Sequence, residues 1–254
     1  MSDVCPECDG TTWSRVVKNG VDVVTRCTCF VGARRESAMA KAGVPSRYLE
    51  CAFSSSSRTG GRPFDRFEYV EKACRVAERW ADQFPDVEAG LLLTGPPGVG
   101  KTHLAVAILR RILVERGIAL PAKFVDFRAL LREIKSSYHP DAPATETDVL
   151  RPVLEAHPLV LDDLGGEKPT LWVLDTLFYI LNQRYNERKP TIITSNFSDR
   201  PTSSPSPVRR GGAEETLSDR ITVRLRSRLY EMCRDVHIEG KDYRENTLQA
   251  NFKS

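Results

Sequence analysis

The sequence predicts an α/β fold: a parallel sheet flanked by helices, with a small cysteine-rich module in front of it. Between residues 91 and 196, short apolar runs of strand type alternate with longer segments of helical periodicity, an order typical of a parallel sheet. A glycine-rich turn joins the first of these strands to the first helix, and two close pairs of cysteines precede residue 30. The chain of 254 residues is long enough for one such domain and a small appendage.

Composition narrows the class of protein further. A hydrophobic content of 41% is sufficient for a buried core, and a net charge of +3 is too small to indicate nucleic-acid binding by itself. The N-terminus has no signal-peptide character, and no apolar run is long enough to cross a bilayer. We therefore expect a soluble, cytoplasmic protein with no membrane partner, whose seven cysteines are metal ligands or free thiols.

Residues 1–35 are predicted to form a zinc-binding cysteine knuckle. A C-x2-C pair and a C-x-C pair flank residues 13–24, which read as two short strands around an Asn-Gly turn. Such a hairpin brings the pairs together, and four thiolates form the tetrahedral environment that Zn²⁺ prefers. The metal would also supply the folding energy that so short a segment lacks; four unligated thiols are the alternative. The candidate ligands are Cys5, Cys8, Cys27 and Cys29.

Residues 36–65 are predicted to be a linker, and residues 66–254 to be the main domain. The linker begins with an alanine-rich helical stretch that ends at Gly43, and it continues into a Ser/Gly-rich loop. Apolar side chains recur every three or four residues over residues 67–84, which predicts an amphipathic helix that ends at Pro85.

A phosphate-binding loop with the spacing G-x-x-x-x-G-K-[ST] is predicted between the first strand, Leu91–Thr94, and the helix Lys101–Arg116. Its glycines allow successive backbone N–H groups to face an anion, and the helix directs its positive end at the same phosphates. Lys101 is expected to contact the β- and γ-phosphates, and the hydroxyl of Thr102 to bind Mg²⁺. The upstream stretch Pro45–Phe53 either covers the adenine ring or is a plain connector. The predicted nucleotide-binding residues of the loop are Gly95, Pro96, Pro97, Gly98, Val99, Gly100, Lys101, Thr102 and His103.

Further strands and helices complete the predicted sheet. Ligands of such sheets bind at the carboxyl ends of the strands, so polar residues at those ends are candidates for the site. The apolar patterns predict strands at 122–127, 159–164, 191–194 and 235–239, helices at 128–137 and 171–185, and a polar loop at 138–147.

Polar residues occur at two of these strand ends. Asp162 is expected to hold Mg²⁺, and Asp163 to polarise the attacking water; the alternative is that both aspartates cap the next helix. Asn196 follows the strand at 191–194 and could position the same water, although an asparagine after a strand is by itself usually a turn residue.

The C-terminal part of the chain is predicted to contain an arginine-bearing helix, Ala213–Cys233. Arg220, Arg224 and Arg228 recur at every fourth position and would share one face. This face is either solvated, or supplies an arginine to the ATP of a neighbouring subunit, or contacts DNA phosphates. Only ten residues follow Arg244, so we expect a reduced lid.

Five motifs, taken in order, resemble those of the AAA+ ATPases in the DnaC/DnaI helicase-loader group, with which the IstB transposition helpers share a core. The resemblance covers about residues 44–250, and the cysteine knuckle followed by G-V-P-S-R-Y is also similar to the loader branch. The motifs are G-P-P-G-V-G-K-T-H-L-A at 95–105, L-D-D-L-G at 161–165, T-S-N at 194–196, S-R-L at 227–229 and G-K-D-Y-R at 240–244.

The resemblance implies an AAA+ P-loop fold and a role for each matching residue. The second acid of the Walker B motif is Asp163 instead of the usual Glu. Its side chain is one methylene shorter, so slow hydrolysis is expected, as in a switch. The matching residues are Asp162 and Asp163 (Walker B), Asn196 (sensor 1), Arg228 (arginine finger), Arg224 (a second candidate for contacting a neighbour's ATP) and Arg244 (sensor 2).

The same resemblance implies an ATP-dependent loader of a DnaB-like replicative helicase. The cysteine knuckle would dock the helicase, the ATPase domain would contact single-stranded DNA, and self-association would place ATP between subunits. ATP, Mg²⁺ and a structural Zn²⁺ are the implied cofactors. The alternatives are an IstB-like ATPase that helps a transposase to act on target DNA, and a nucleotide-gated DNA-binding module with little hydrolysis.

Overall fold

A computed structural model of the chain describes residues 5–9, 11–18, 20–27, 29, 37–53, 68–199, 215–240 and 242–243. In this part of the chain a two-stranded hairpin precedes a five-stranded sheet with flanking helices. The strands are β1 (Trp13–Lys18), β2 (Val21–Arg26), β3 (Gly90–Thr94), β4 (Lys123–Asp126), β5 (Leu159–Leu164), β6 (Thr191–Ser195) and β7 (Cys233–His237). The helices are α1 (Glu68–Gln83), α2 (Lys101–Arg110), α3 (Phe127–Ser136), α4 (Glu146–Glu155), α5 (Leu171–Asn186), α6 (Leu217–Ile221) and α7 (Val223–Met232).

The five-stranded sheet has the order β4-β5-β6-β3-β7, and each neighbouring pair is parallel. The first strand of the domain, β3, therefore lies between β6 and β7 and is completely buried. Because all strands run in the same direction, the carboxyl ends of β3, β5 and β6 meet at one edge of the sheet. The predicted α/β fold with a parallel sheet is confirmed.

Apolar side chains alternate between the two faces of β3 and join two separate cores. Leu91 and Leu93 belong to a core formed with α1 and α2, whereas Leu92 belongs to a second core formed with α3, α5 and α7. A strand buried on both faces reads as a continuous apolar run, which is why the sequence Leu91–Leu93 shows no alternation of polar and apolar residues.

The stretch that follows the cysteine module packs on the first of these cores. Met39, Ala42 and Cys51 are buried there together with residues of α1 and α2. The backbone N–H of Phe124 in the edge strand β4 donates to the carbonyl of Ala42 at 2.6 Å. The domain boundaries at 35 and 65 stay a prediction, since residues 54–67 lie outside the described residues.

The predicted single helix Ala213–Cys233 is wrong. The described residues form two helices, α6 and α7, and Thr222 between them has φ of +71°. A β-branched residue in this region ends the first helix, and the Thr222 hydroxyl then accepts from the backbone N–H of Leu225 at the start of the second. Arg220 therefore precedes the break and does not share a helix face with Arg224 and Arg228.

Helix α4 was not predicted, and the predicted loop 138–147 extends into it. Thr145 and Asp148 form a capping box at its start, each side chain hydrogen-bonded to the other's backbone N–H. Pro152 lies inside the helix, where proline is normally unfavourable, so the local sequence argued against a helix that packing stabilises. No helix of the described residues is long and apolar enough to span a membrane.

Candidate active site

The glycine-rich turn lies between the end of β3 and the start of α2. Gly98 has φ of +76°, a region that favours glycine. Gly95 has φ of +143°, and a Cβ at this position would lie 2.1 Å from the carbonyl oxygen of Ile238. The backbone of the C-terminal segment thus approaches the loop so closely that Gly95 leaves no space for a side chain.

Lys101 is the first residue of α2 and is 7% exposed. Its Nζ donates to the carbonyl oxygens of Gly95 at 2.8 Å and Pro96 at 2.7 Å. These two hydrogen bonds hold the ammonium group over the turn, where the N-terminus of the helix adds its own positive potential. The turn therefore presents a concentration of positive charge suited to phosphate.

Asp162 lies at the end of β5 and joins three elements of the site. Its Oδ1 accepts from the Thr102 hydroxyl at 2.9 Å and from the Thr194 hydroxyl at 2.6 Å. Burial raises the pKa of this carboxyl, and the hydrogen bonds from Thr194 and Thr102 oppose the rise. A carboxylate beside a threonine hydroxyl is an oxygen donor set that fits Mg²⁺.

Asp163, the next residue, contacts the side chains of Asn196 and Arg128. Its Oδ1 accepts from Nδ2 of Asn196 at 2.9 Å, and its Oδ2 lies 3.5 Å from Nε of Arg128. Burial raises the pKa of the carboxyl, and the charge of Arg128 partly counteracts this. Asp163 also has φ of +59°, a conformation that non-glycine residues adopt at the cost of strain and often at functional sites.

Two residues of this constellation, Thr194 and Arg128, had no role predicted from the sequence. Thr194 links both aspartates, because its hydroxyl donates to Asp162 and accepts from the backbone N–H of Asp163 at 3.0 Å. Arg128 is the second residue of α3 and also donates to the carbonyl of Gly166. A signal for Arg128 existed, since a basic residue in the first turn of a helix opposes the helix dipole.

The C-terminal segment contacts the phosphate loop from the other side. The backbone N–H of Ile238 donates to the carbonyl of Thr94 at 2.8 Å, and that of Tyr243 to the carbonyl of Gly98 at 3.1 Å. The predicted sensor, Arg244, directly follows Tyr243 but lies outside the described residues. Tyr243, which belongs to the same motif as Arg244, therefore contacts the phosphate loop.

The predicted arginine finger lies on α7 and faces α5. Arg228 donates to Oδ1 of Asn182, and its guanidinium lies 4.7 Å from the ring centroid of Phe178. Arg224 lies over the same ring at 5.1 Å. In the part of the chain that the structure describes, neither arginine forms a hydrogen bond or an ion pair with the phosphate loop of its own chain.

The stretch Pro45–Phe53 packs against the phosphate-loop helix. Sγ of Cys51 lies 3.1 Å from Nδ1 of His103, and Arg110 donates to the carbonyl of Leu49 at 2.6 Å. Burial lowers the pKa of His103. This position next to α2 is compatible with either of the two interpretations of the stretch, a cover for the adenine ring or a connector.

The four cysteines of the N-terminal module form one cluster, in which the sulfur atoms all lie within 4.8 Å of one another. Strands β1 and β2 pair in an antiparallel hairpin that brings the two cysteine pairs together, as predicted. Sγ of Cys5 lies 3.8 Å from that of Cys27, and Sγ of Cys8 lies 3.5 Å from that of Cys29. Four sulfurs in a tetrahedron at the usual Zn–S distance of about 2.3 Å are about 3.8 Å apart. The cluster therefore fits a zinc ion.

Comparisons with known proteins agree with this geometry. The family described as IstB-like ATP binding protein matches residues 64–250. XkdC, a protein of the phage-like element PBSX of Bacillus subtilis, is 24% identical over 255 residues, which cover 95% of this chain and 85% of the relative. The ATP-binding protein of insertion sequence IS5376 from Geobacillus stearothermophilus is 31% identical over 157 residues, 60% of either chain.

One solved structure is similar to this chain in both fold and sequence. The crystal structure of the DnaC helicase loader is 32% identical with a TM-score of 0.60, and the match covers 76% of this chain and 99% of that one. The family match spans the phosphate loop, both aspartates and the arginine helix. The chain therefore belongs to the IstB-like ATP-binding proteins and is an AAA+ ATPase of the DnaC group.

Proposed function

We propose that this protein uses ATP to load a replicative helicase onto DNA. One observation carries the ATPase part of this proposal: Asp162 and Asp163 lie side by side, the first bonded to Thr102 of the phosphate loop and the second to Asn196. This arrangement supports Asp162 as the metal-binding group and Asp163 as the water-orienting group beside the predicted triphosphate site. The likeness to the DnaC helicase loader supports the choice of partner.

Each residue of the site has a role in hydrolysis under this proposal. Lys101 neutralises charge on the β- and γ-phosphates, and Thr102 and Asp162 supply oxygen ligands for Mg²⁺. The ion, when bound, polarises the γ-phosphoryl group. Asp163 orients the attacking water, and Asn196 holds Asp163 in position by the hydrogen bond described above.

The geometry of Asp163 supports a slow turnover of ATP. The side chain is shorter than a glutamate and is held by Asn196 on one oxygen and by Arg128 near the other. A carboxylate with both oxygens engaged is a poor acceptor for a water proton until one partner moves. We therefore propose an ATPase that stays slow until DNA or a partner protein binds.

We further propose that the catalytic site is completed by a second copy of the chain. Arg228 and Arg224 contact α5 and lie on the surface formed by α5 and α7. An arginine that does not engage the phosphate loop of its own chain remains available to the ATP of a neighbour. In such a site ATP lies between two subunits and promotes their association.

Arg228→Ala is expected to reduce ATP turnover by about 100-fold or more, as for arginine fingers in general, while leaving the dissociation constant for ATP within about twofold. Arg226→Ala, which removes a neighbouring arginine that pairs with Asp199 instead, is the matched control and should retain turnover. Steady-state kinetics and a fluorescent ATP analogue give the two quantities. An equal loss of ATP binding would mean that Arg228 acts within its own chain.

Mixing provides a second readout for the shared site. A mixture of Arg228→Ala and Lys101→Ala subunits contains interfaces with an intact loop from one chain and an intact arginine from the other. Turnover of the mixture should exceed the sum of the two separate variants. No recovery at any ratio would count against a site built from two chains.

Exposed valines on the N-terminal hairpin are evidence that this module docks a partner protein. Val17 is 69% exposed and Val24 is 61% exposed, and they lie on the same face of the hairpin because Arg15 pairs with Val24 and Val17 with Asp22. Exposed aliphatic side chains on a small module are typical of protein contact sites. We propose that this module contacts the helicase, and that the ATPase domain contacts single-stranded DNA.

The proposal is tested by measuring helicase assembly on closed circular single-stranded DNA. With ATP and the cognate replicative helicase, the protein should increase the amount of helicase retained on the circle, and Lys101→Ala should not. Turnover should rise when single-stranded DNA is added. If the helicase is neither bound nor retained while ATP is still hydrolysed, helicase loading is excluded and the ATPase assignment remains.

A transposase helper is the second candidate, favoured by the 31% identity to the ATP-binding protein of IS5376. The distinguishing observation is a stimulation of turnover by double-stranded target DNA together with a transposase, in the absence of any helicase. The third candidate, a nucleotide-gated DNA-binding module, requires ATP-dependent DNA binding without measurable turnover under either condition.

Purified protein is expected to contain about one zinc per chain. Cys8→Ser should lose most of the metal, because three thiolates and an alcohol bind zinc less tightly, whereas Cys74→Ser should keep it, since Cys74 lies in α1 outside the cluster. Elemental analysis measures the content. Absence of zinc, with all four cluster thiols freely alkylated, would exclude the site.

A further inference from the structure

A groove of about 1030 Å³ opens beside the edge strand β4, at the end of α2 opposite the phosphate loop. The α-helix that begins at Lys101 continues into a π-helical turn, Arg111–Glu115, and this turn forms one wall. The loop before β4, part of α4 and residues 38–42 form the others. None of the residues that line the groove belongs to the candidate active site.

The floor of the groove is apolar and only half-buried. Leu113, Val114, Ile118 and Leu120 pack on the core beneath and keep part of their surface open to the groove. Covering such a surface contributes about 25 cal/mol for each Å² removed from water. The volume is at the upper limit of small-molecule sites, roughly 300–1,000 Å³, and is large enough for several side chains of one helix.

The rim of the groove is predominantly basic. Lys41, Lys123 and Arg151 line it, and Arg26 of the hairpin reaches its edge, against two acidic residues. One of the acidic residues is Asp148, whose carboxylate already accepts from Thr145 and pairs with Arg151. The other is Glu155. The rim therefore has an excess of positive charge around an apolar floor.

We propose that this groove binds an acidic, amphipathic helix of a partner protein. An apolar helix face fits the aliphatic floor, and acidic side chains on either side of that face complement Lys41 and Lys123. Nucleic acid fits less well, because none of the described side chains that line the groove is aromatic and base stacking on aromatic rings dominates single-strand binding. Val17 and Val24, the exposed hairpin residues assigned to the helicase, do not line the groove.

The probe for this proposal is a pair of synthetic helical peptides of about 14 residues, four helical turns. Both have leucines at positions i, i+3, i+4 and i+7; the remaining positions are mainly glutamate in one peptide and lysine in the other. Binding to the full-length protein is measured by fluorescence anisotropy without nucleotide or DNA, so the result does not depend on helicase loading. An oligo-dT strand serves as the nucleic-acid probe.

The acidic peptide should bind saturably and the basic peptide at least about tenfold more weakly, since like charges oppose it. Lys41→Glu/Lys123→Glu should reduce the affinity for the acidic peptide by at least about tenfold. Lys72→Glu/Arg79→Glu, an equal charge reversal on the exposed side of α1, should change it less than about twofold. Ile118→Ser, which alters the floor without changing charge, should weaken binding by about fivefold.

The proposal is overturned if neither peptide binds saturably, if both bind equally, or if the two charge reversals have the same effect. Loss of oligo-dT binding in Lys41→Glu/Lys123→Glu, with peptide binding unchanged, would assign the rim to nucleic acid instead. Lys41 is exposed and Lys123 lies on an edge strand, so both substitutions should leave the protein folded. Thermal unfolding of each variant checks this.

Discussion

Lys101→Ala is expected to weaken ATP binding by about 100-fold or more, equivalent to about 2.7 kcal/mol. The ammonium group of Lys101 is held over the turn by hydrogen bonds to the carbonyls of Gly95 and Pro96. Its removal leaves the backbone N–H groups and the helix dipole as the remaining attraction for phosphate. Equilibrium binding of a fluorescent ATP analogue measures the loss.

Lys72→Ala is the matched control, because Lys72 is an exposed lysine on α1 and its removal makes the same change in charge. ATP affinity in this variant should remain within about twofold of the wild type. Thermal unfolding without nucleotide should be similar for both variants. Unchanged ATP affinity in Lys101→Ala would contradict the assignment of the phosphate loop.

Arg184→Met is expected to destabilise the fold by about 3–5 kcal/mol. Arg184 is 0% exposed, and its Nη1 donates to the carbonyls of Val153 at 3.0 Å and Ala156 at 2.9 Å. Its Nη2 donates to the carbonyl of Pro190 at 2.9 Å. Methionine fills a similar volume but provides no donor for the carbonyls of Val153 and Ala156.

Burial lowers the pKa of Arg184 to about 10, so the guanidinium remains charged at neutral pH. It is stabilised by hydrogen bonds to buried carbonyls and by the charge of Glu187. Arg184→Lys keeps the charge but loses the fork of donors, and it should be intermediate. Arg132→Met, at an exposed position on α3, should change stability by no more than about 0.5 kcal/mol. Urea unfolding followed by circular dichroism measures all three, and equal stability of Arg184→Met and Arg132→Met would disprove the role of Arg184.

Local patterns in the sequence were sufficient for the elements that depend on neighbouring residues. The phosphate loop is a contiguous motif, and the apolar runs of β3, β5 and β6 form buried strands because each is complete in itself. The position of Asp162 and Asp163 at a strand end followed from the same pattern. The hairpin and the cysteine cluster could be predicted for a similar reason, because each cysteine pair is a motif of only a few residues.

Other features depended on residues distant in the chain. Helix α4 contains Pro152, and only its packing against α3 and α5 and its capping box make the helix favourable. The break at Thr222 places Arg220 over the ring of Phe197, away from the two arginines on α7. No spacing in the sequence indicates a threonine with positive φ.

The sequence by itself determined the fold class, the phosphate loop and the candidate carboxylates, because strand and helix periods and the loop spacing are encoded within short segments. Only the tertiary structure decided how these groups are connected. Thr194 bridges the two aspartates across β5 and β6, and Arg128 reaches Asp163 from the start of α3. Strand order sets these contacts, and parallel neighbours are joined by long crossovers, so side chains that touch at the site are far apart in the chain.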